Sequence, residues 1–178
     1  MPTLHAGPLL LEPLQVAHAP EMFALLQDPA LYHYLDYPPP PSLAHLEGVY
    51  TRLQARRSPD GRQRWLNWVV RAPPAGLIGY VQATVGPDAS AWVGYVLGRA
   101  AWGQGHATRA TRCMLEHLVA HDAVQRFLAT VEQANERSIA LLDRLGFSAA
   151  GPDERARHEL SATERLFVAD PASLRRAG

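Results

Sequence analysis

Apolar and polar residues follow two different periods along this chain, and the two periods divide it into strands and helices. Short runs rich in apolar, aromatic and β-branched residues are typical of strands, particularly where Pro, Gly or Asp follows them. Runs of this kind predict strands over residues 8–14, 64–71, 77–85, 91–97, 126–132, 147–150 and 165–169.

Apolar residues at helical spacing predict the helices between these strands. Ser42 and Asn135 are N-cap residue types that come directly before two of the helical stretches, and Gly146 suits a left-handed C-terminal cap. The predicted helices cover residues 20–27, a shorter piece at 30–35, the stretch after Ser42, about 107–119, and 135–145.

The connections between strands predict how the sheet is assembled. Short Pro and Gly turns separate the strands at 64–71, 77–85 and 91–97, which favours antiparallel hairpins. A long helix separates the strands at 91–97 and 126–132, so this pair should be parallel with a right-handed crossover. Because no internal repeat or linker interrupts the pattern, we expect one mixed α/β domain over residues 1–178.

Composition excludes several classes of protein. The 178 residues contain no apolar stretch long enough for a membrane span, and residues 1–5 do not resemble the start of a secretory signal. Basic and acidic residues number 17 each, so bulk charge points to neither nucleic acid nor an anionic membrane as a partner. The single Cys113 cannot form an internal disulfide, which suits a reducing cytoplasm.

A glycine pair in the middle of the chain is the candidate binding element. Gly103 and Gly105 lie between a predicted strand and the long helix, where missing Cβ atoms let a ligand approach the backbone. The helix that follows presents unpaired N–H groups and the positive end of its dipole, a combination that binds phosphate. Arg109 is at the unfavourable end of that dipole unless an anion binds there; alternatively, it is a good helix former on a solvated face.

Two other interpretations of this region are weaker. The turn half-matches the dinucleotide fingerprint G-x-G-x-x-G, with Thr108 at the third glycine, but the roughly 75 residues that follow are too few for a complete Rossmann fold. His117 and His121 are four residues apart on the long helix, yet the sequence offers no metal-binding motif around them. We therefore predict no metal site.

Two motifs resemble those of the GCN5-related N-acetyltransferases (GNAT). The segment 102–107, WGQGHA, is similar to the acetyl-CoA loop R/Q-x-x-G-x-G/A with tryptophan in place of Arg or Gln. The segment 135–147, NERSIALLDRLGF, is similar to the N-x-x-S and L-G-F block of the branch that includes ribosomal-protein alanine N-acetyltransferases. The resemblance implies a mostly antiparallel sheet of six to seven strands with one splayed parallel pair, flanked by about four helices.

The resemblance also implies roles for individual residues. Main-chain groups of Val96 and Leu97 would pair with the pantetheine arm of acetyl-CoA. Asn135 would contact the cofactor, or act only as a helix cap, and Ser138 would protonate the leaving thiolate, or be an ordinary first-turn serine. The pyrophosphate would lie on the loop and first helical turn formed by Gly103, Gln104, Gly105, His106, Ala107, Thr108 and Arg109.

The general base of the family does not carry over to this chain. Trp92 and Arg157 occupy the two positions at which relatives place an acidic residue. Glu154, His158 and Glu159 remain candidates, although a base is not essential for an α-amine, whose pKa of about 7.7 to 8.0 leaves it partly neutral. A lysine acceptor, with a pKa near about 10.4, would need one, so an α-amine or another amine of low pKa is favoured.

The segment 30–41 has two interpretations. Four consecutive prolines at 38–41 form a stiff extended spacer. Alternatively, the resemblance implies that this region forms a wall of the acceptor site, with Tyr32, Tyr34 and Tyr37 facing the acceptor.

The sequence therefore predicts a cytoplasmic, acetyl-CoA-dependent N-acetyltransferase that acts on a primary amine by direct attack in a ternary complex. We expect it to be a monomer or homodimer that uses no metal. A non-catalytic acyl-CoA-binding or sensor module is the alternative, because neither acidic base of the family is present.

Overall fold

The structure is a computed structural model that describes residues 1–176. Its strands are β1 (Leu4–Ala6), β2 (Leu9–Pro13), β3 (Arg64–Arg71), β4 (Leu77–Val85), β5 (Ser90–Leu97), β6 (Arg126–Glu132), β7 (Ser148–Ala149) and β8 (Glu164–Ala169). Its helices are α1 (Ala19–Leu25), α2 (Leu43–Gln54), α3 (His106–His121), α4 (Glu136–Arg144), α5 (Pro152–Arg155) and α6 (Pro171–Arg176). Short 3₁₀ turns occur at Val16–His18, Pro29–Tyr32 and Arg99–Ala101.

The strands form one sheet in the order β1-β2-β3-β4-β5-β6-β8-β7. Neighbouring strands are antiparallel except β5 and β6, which are parallel, as the long helix between them predicts. This parallel pair is joined only at Ser90–Arg126, Ala91–Phe127 and Trp92–Leu128. Beyond Trp92 the two strands diverge, and we call the V-shaped gap between them the fork.

Helices cover the sheet on both faces. One cluster of buried apolar residues packs α3 and α4 against one face and includes Trp68, Met114, Phe127 and Leu142. A second, smaller cluster packs α1 and α2 against the opposite face and includes Met22, Tyr50 and Val69. Side chains alternate between the faces along each strand, so residue parity decides which cluster a strand residue joins.

The mixed fold is confirmed, but the expected numbers of elements are too low. Within residues 1–176 the sheet has eight strands rather than six to seven, and there are six α-helices rather than about four. The missed elements β1, α5 and α6 have between three and six residues, too few to show a period. Residues 177 and 178 of the predicted domain lie outside the described residues.

Among the described residues, none of the helices combines the length and hydropathy that a membrane crossing requires.

Candidate active site

The glycine pair forms the sharp turn that the sequence predicts. Gly103 and Gly105 have φ angles of +74° and +72°, a left-handed conformation that is strained for other residues. A Cβ atom added to either glycine would meet nothing within 4 Å, so both face open space. Gly105 is the N-cap of α3 and supplies no side-chain cap, so its first-turn N–H groups are left for a ligand.

A groove of about 760 Å³ begins at these glycines and follows α3. Three arginines line it, of which only Arg109 was predicted from the sequence. Arg112 comes one turn later and donates a hydrogen bond to the carbonyl of Arg144 at 2.9 Å, which brings the end of α4 to the groove. The other lining residues are His5, Ala6, Gly7, Thr108, Cys113 and Glu116.

The side chains of the loop hold its shape. Gln104 donates a hydrogen bond to the carbonyl of Ala100 at 2.7 Å, and Trp102 donates one to the carbonyl of Leu97 at 2.7 Å. The guanidinium of Arg137, on α4, lies 5.3 Å from the centre of the Trp102 ring. Within residues 1–176, Nδ1 of His106 is buried without a hydrogen-bond partner, which leaves a polar atom available beside the glycine turn.

The direction of the backbone groups along β5 corrects one expectation. The Gly98 N–H donates a hydrogen bond to the carbonyl of Ile78, and the Ser90 carbonyl accepts one from the Gly86 N–H, both on the β4 side. Because hydrogen-bonding direction alternates along an antiparallel ladder, Val96 points its N–H and C=O groups toward Tyr80 on β4. Val96 therefore directs no main-chain group into the fork, where the pantetheine arm was expected to pair.

The groups that do face the fork are those of the odd-numbered residues of β5. Val93, Tyr95 and Leu97 point their main-chain groups away from β4, and no strand pairs with them there within residues 1–176. The carbonyl of Leu97 is already bonded to Trp102, so its N–H is the group that remains. Two residues of this set, Val93 and Tyr95, were missed because sequence spacing does not show which neighbour a strand residue faces.

Asn135 and Ser138 lie at the start of α4, beside the fork. Asn135 caps the helix, since its Oδ1 accepts a hydrogen bond from the Ser138 N–H at 3.1 Å. Tyr95 reaches the same turn and donates a hydrogen bond to the Ser138 carbonyl at 3.4 Å. Burial raises the pKa of Tyr95 to about 12, so it is a neutral hydrogen-bond donor at physiological pH. Among the described residues, the Ser138 hydroxyl has no protein hydrogen-bond partner.

On the opposite face of the sheet, on the side of α1 and α2, part of β4 and β5 is exposed between Tyr37 and His158, and we call this opening the cleft. Its floor consists of Tyr80, Gln82, Gly94 and Trp92, which share this face by alternation. Gln82 is exposed although it lies in a central strand, which shows that neither α1 nor α2 covers the sheet there. Its amide lies over Gly94, where an added Cβ would be 3.2 Å from Gln82 Nε2.

Tyrosines from the segment 30–41 form one wall of this cleft. The hydroxyl groups of Tyr37 and Tyr80 are 3.0 Å apart, and burial raises the pKa of both phenols. Tyr32 instead donates to the carbonyl of Leu26, packs edge-on against Tyr37 at 6.0 Å, and has its pKa raised to about 12 by burial. Tyr34 is exposed. The structure thus places Tyr37 against Tyr80 of the sheet, and the four prolines follow directly after Tyr37 in the chain.

The opposite wall carries the three candidate bases. Oε1 of Glu154 is 3.2 Å from Nε2 of His158, and Oε2 is 2.8 Å from Arg126 and 3.2 Å from Arg157. The hydrogen bond from His158, followed by that from Arg126, lowers the pKa of Glu154, which makes it a poor proton acceptor. Glu159 is exposed.

A family model described as an acetyltransferase (GNAT) domain matches residues 8–148. The chain belongs to the GNAT family. Enzymes of this family use acetyl-CoA as the acetyl donor, so this GNAT protein is an acetyl-CoA-dependent N-acetyltransferase, as the motifs predict. No curated protein matches its sequence significantly.

Solved structures share the fold of this GNAT protein at low sequence identity. RimL, a ribosomal L7/L12 alpha-N-protein acetyltransferase solved with coenzyme A, has 17% identity and a TM-score of 0.80, over 95% of this chain and 98% of its own. Mycobacterium smegmatis RimJ, solved with CoA-disulfide, has 23% identity and a TM-score of 0.76, over 97% of this chain and 88% of its own. The microcin C7 self-immunity acetyltransferase MccE, solved with acetyl-CoA and AMP, has 16% identity and a TM-score of 0.78, over 92% of each chain. The predicted resemblance to ribosomal-protein acetyltransferases is confirmed.

The geometry fits the phosphate end of coenzyme A. Two left-handed glycines, an uncapped helix start, a buried nitrogen without a partner and three arginines are the donors that a diphosphate and a further phosphate require. Among the described residues, no three potential metal ligands lie together, and the rings of His117 and His121 pack against each other at 4.7 Å.

Proposed function

We propose that this protein transfers the acetyl group of acetyl-CoA to an α-amine, or to another amine of low pKa, by direct attack in a ternary complex. The observation that carries the proposal is the relation between the glycine turn and the fork. The turn at Gly103 and Gly105 stands at the open end of the fork, and the cleft on the other face of the sheet meets the fork at Trp92. A donor and an acceptor can thus enter from different sides.

The donor is held by main-chain groups in this proposal. N–H groups from Gly103 to Thr108 bind the diphosphate, and the edge of β5 at Val93, Tyr95 and Leu97 guides the pantetheine arm. Leu97 is five positions after Trp92, and an extended strand rises about 3.3 Å per residue, so this edge is roughly 16 Å long. A grip far from the reacting carbon favours catalysis, because correct positioning contributes up to about 7 to 11 kcal/mol.

The reacting groups are few in a direct transfer. The amine nitrogen attacks the thioester carbonyl, the C–S bond breaks, and the thiolate needs a proton. Ser138, at the first turn of α4 beside the fork, is the proposed proton donor, and Asn135 fixes that turn as well as bordering the donor site. Tyr95 acts as a positioning residue, because its hydroxyl joins β5 to the same turn.

The open cleft between Tyr37 and His158 is the proposed acceptor site. The name of the structural relative RimL describes it as an alpha-N-protein acetyltransferase, which supports an α-amine as acceptor. A cytoplasmic location suits an enzyme that draws on acetyl-CoA.

A pair of glycine variants tests the donor site. Gly105 and Gly61 have φ angles of +72° and +70°, and an added Cβ would meet nothing within 4 Å at either position. Gly105→Ala and Gly61→Ala should therefore lose similar stability, about 1 to 2 kcal/mol, from the left-handed backbone. Only Gly105→Ala should weaken acetyl-CoA binding, measured by calorimetry, because Gly61 lies in a remote turn. Equal affinities for both variants would refute the proposed donor site.

Release of free thiol from acetyl-CoA distinguishes the enzyme from a non-catalytic binding module. We expect thiol release with peptides that have a free N-terminus and little with peptides whose only amine is lysine. Tight acetyl-CoA binding without thiol release for any amine would support the module instead.

A further inference from the structure

The fork closes at a tryptophan that also belongs to the acceptor cleft. Trp92 is the last residue of β5 that pairs with β6, opposite Leu128, and its side chain lies on the same sheet face as Tyr80 and Gln82. A thioester guided down the β5 edge would end near this point. Any side chain packed on Trp92 from the cleft side would therefore be close to both reactants.

His158 is that side chain. Its imidazole packs edge-on against the Trp92 ring, with centroids 5.0 Å apart and planes at 87°. The ring is partly buried, with a quarter of its side chain exposed, so it can meet both a ligand and solvent. His158 also belongs to the loop after α5, which forms the wall of the cleft opposite Tyr37.

Glu154 holds the imidazole in one orientation. Its Oε1 lies 3.2 Å from Nε2 of His158, one helical turn away, and its other oxygen is held by Arg126 from β6 and by Arg157. The carboxylate is thereby kept ionised and accepts a hydrogen bond from Nε2–H. Nδ1 of His158 then carries the free lone pair.

We propose that Nδ1 of His158 accepts the proton of the attacking amine and that Glu154 is the positioning residue that fixes its tautomer. This inference rests on the proposed transfer of acetyl to an amine. The N–C bond forms as the C–S bond breaks, the amine proton passes to His158, and the thiolate receives a proton from Ser138. His158 adjoins Arg157, the position at which relatives carry a glutamate, so a neighbouring side chain supplies the base in this chain.

The pH dependence of the rate follows from the groups around the imidazole. Those that face it are Glu154 on α5, with Arg126 and Arg157 on the far side of that carboxylate, and the neutral ring of Trp92. The rate should fall at acidic pH, because a general base acts only in its unprotonated form. Glu154→Gln removes the charge beside the proposed base, so it should move this acid limb of the pH–rate profile.

Steady-state kinetics of four variants test the role of His158. His158→Gln should lower kcat/KM for the amine by about 10²-fold or more and abolish the acid limb, while acetyl-CoA affinity stays within twofold. Ser138→Ala should lower kcat but retain the limb, because it acts on the leaving group. His45→Gln, which removes an exposed histidine of α2, should change neither kcat/KM nor the acid limb. Imidazole added to His158→Ala should restore part of the rate, which a purely structural role would not allow.

NMR of the ligand-free protein gives a readout that does not depend on turnover. The ring nitrogen shifts of His158 should show a proton on Nε2 and none on Nδ1 at neutral pH, and Glu154→Gln should lose this preference. The Nδ1–H tautomer, or a His158→Gln variant with an unchanged rate and acid limb, would overturn the role of His158 alone. Failure of the wild-type protein to release thiol with any amine would overturn the proposed function together with this role.

Discussion

Arg109 places a positive charge in the first turn of α3, where the helix dipole disfavours a cation. In the ligand-free protein we therefore expect Arg109→Gln to raise the free energy of unfolding by about 0.3 to 1 kcal/mol. The same variant should weaken acetyl-CoA binding, because the lost charge faces the groove beside the glycine turn. Urea unfolding and calorimetry measure the two effects, which should have opposite signs.

Arg52 is the matched control for this prediction. It is exposed in the last turn of α2, where a cation interacts favourably with the dipole. Arg52→Gln should therefore lower stability slightly and leave acetyl-CoA affinity unchanged. A loss of stability in Arg109→Gln would show that Arg109 serves the fold rather than the ligand.

Single residues could be predicted from sequence where their task is local. Gly105 and Gly146 take left-handed conformations, and Ser42 and Asn135 cap helices, because these preferences depend only on neighbouring backbone. Val96 shows where local reasoning ends. Whether it faces the fork or β4 depends on the register with a strand more than ten residues away, which the spacing of apolar residues does not contain.

The elements β2, β3 and α1 are joined by one arginine between two carboxylates. Arg71 on β3 lies 2.7 Å from Glu12 on β2 and 3.4 Å from Glu21 on α1. Glu21 also accepts a hydrogen bond from the Leu77 N–H, at 2.6 Å, where β4 begins. This network holds α1 against β2, β3 and the start of β4.

Acid should weaken this junction. The hydrogen bond from Arg71 lowers the pKa of Glu12 below its usual 4.5 despite partial burial, and His18 adds to the effect. A lowered folded-state pKa contributes stability above pH 4.5 that is lost as pH falls through the lower value. Glu12→Gln should therefore cost about 1 kcal/mol at neutral pH, measured by urea unfolding, and less at a second, acidic pH below the lowered pKa.

Glu47→Gln on α2 is the control for Glu12, since Glu47 forms no ion pair within residues 1–176. Its effect on the free energy of unfolding should not change between neutral and acidic pH. If Glu12→Gln destabilised the protein equally at both pH values, packing rather than charge would account for its effect.

At this scale the sequence predicts elements that are long enough to repeat a pattern. Strands β3, β4 and β6 begin and end where the apolar runs do, and β5 begins one residue earlier than predicted. The two-residue strand β7 lies within the predicted strand at 147–150 and pairs with β8, whereas the four-residue helix α5 has no such repeat. Glu154 and His158 meet through α5, so their pairing was beyond prediction.

The whole sheet consists of two parts that meet at the fork. Strands β1 to β5 form one part and β6 to β8 the other, and three residue pairs at the base of the fork join them. The opening leaves main-chain groups of β5 without a neighbouring strand, which is otherwise unfavourable in a buried sheet. A ligand that pairs with this edge would complete the hydrogen bonding of the molecule, which supports the proposal that the fork, rather than any single residue, forms the donor site.

Hydrogen exchange of two adjacent amides tests this account. The N–H of Tyr95 faces the fork, whereas that of Val96 is directed to Tyr80 on β4. In the ligand-free protein the Tyr95 amide should exchange faster than the Val96 amide, measured by NMR. Saturating acetyl-CoA should slow Tyr95 and leave Val96 nearly unchanged, beyond any global stabilisation seen equally in β3. Protection that appeared at Val96 instead would mean that the ligand pairs with β5 in the opposite register, and the edge formed by Val93, Tyr95 and Leu97 would not be the donor site.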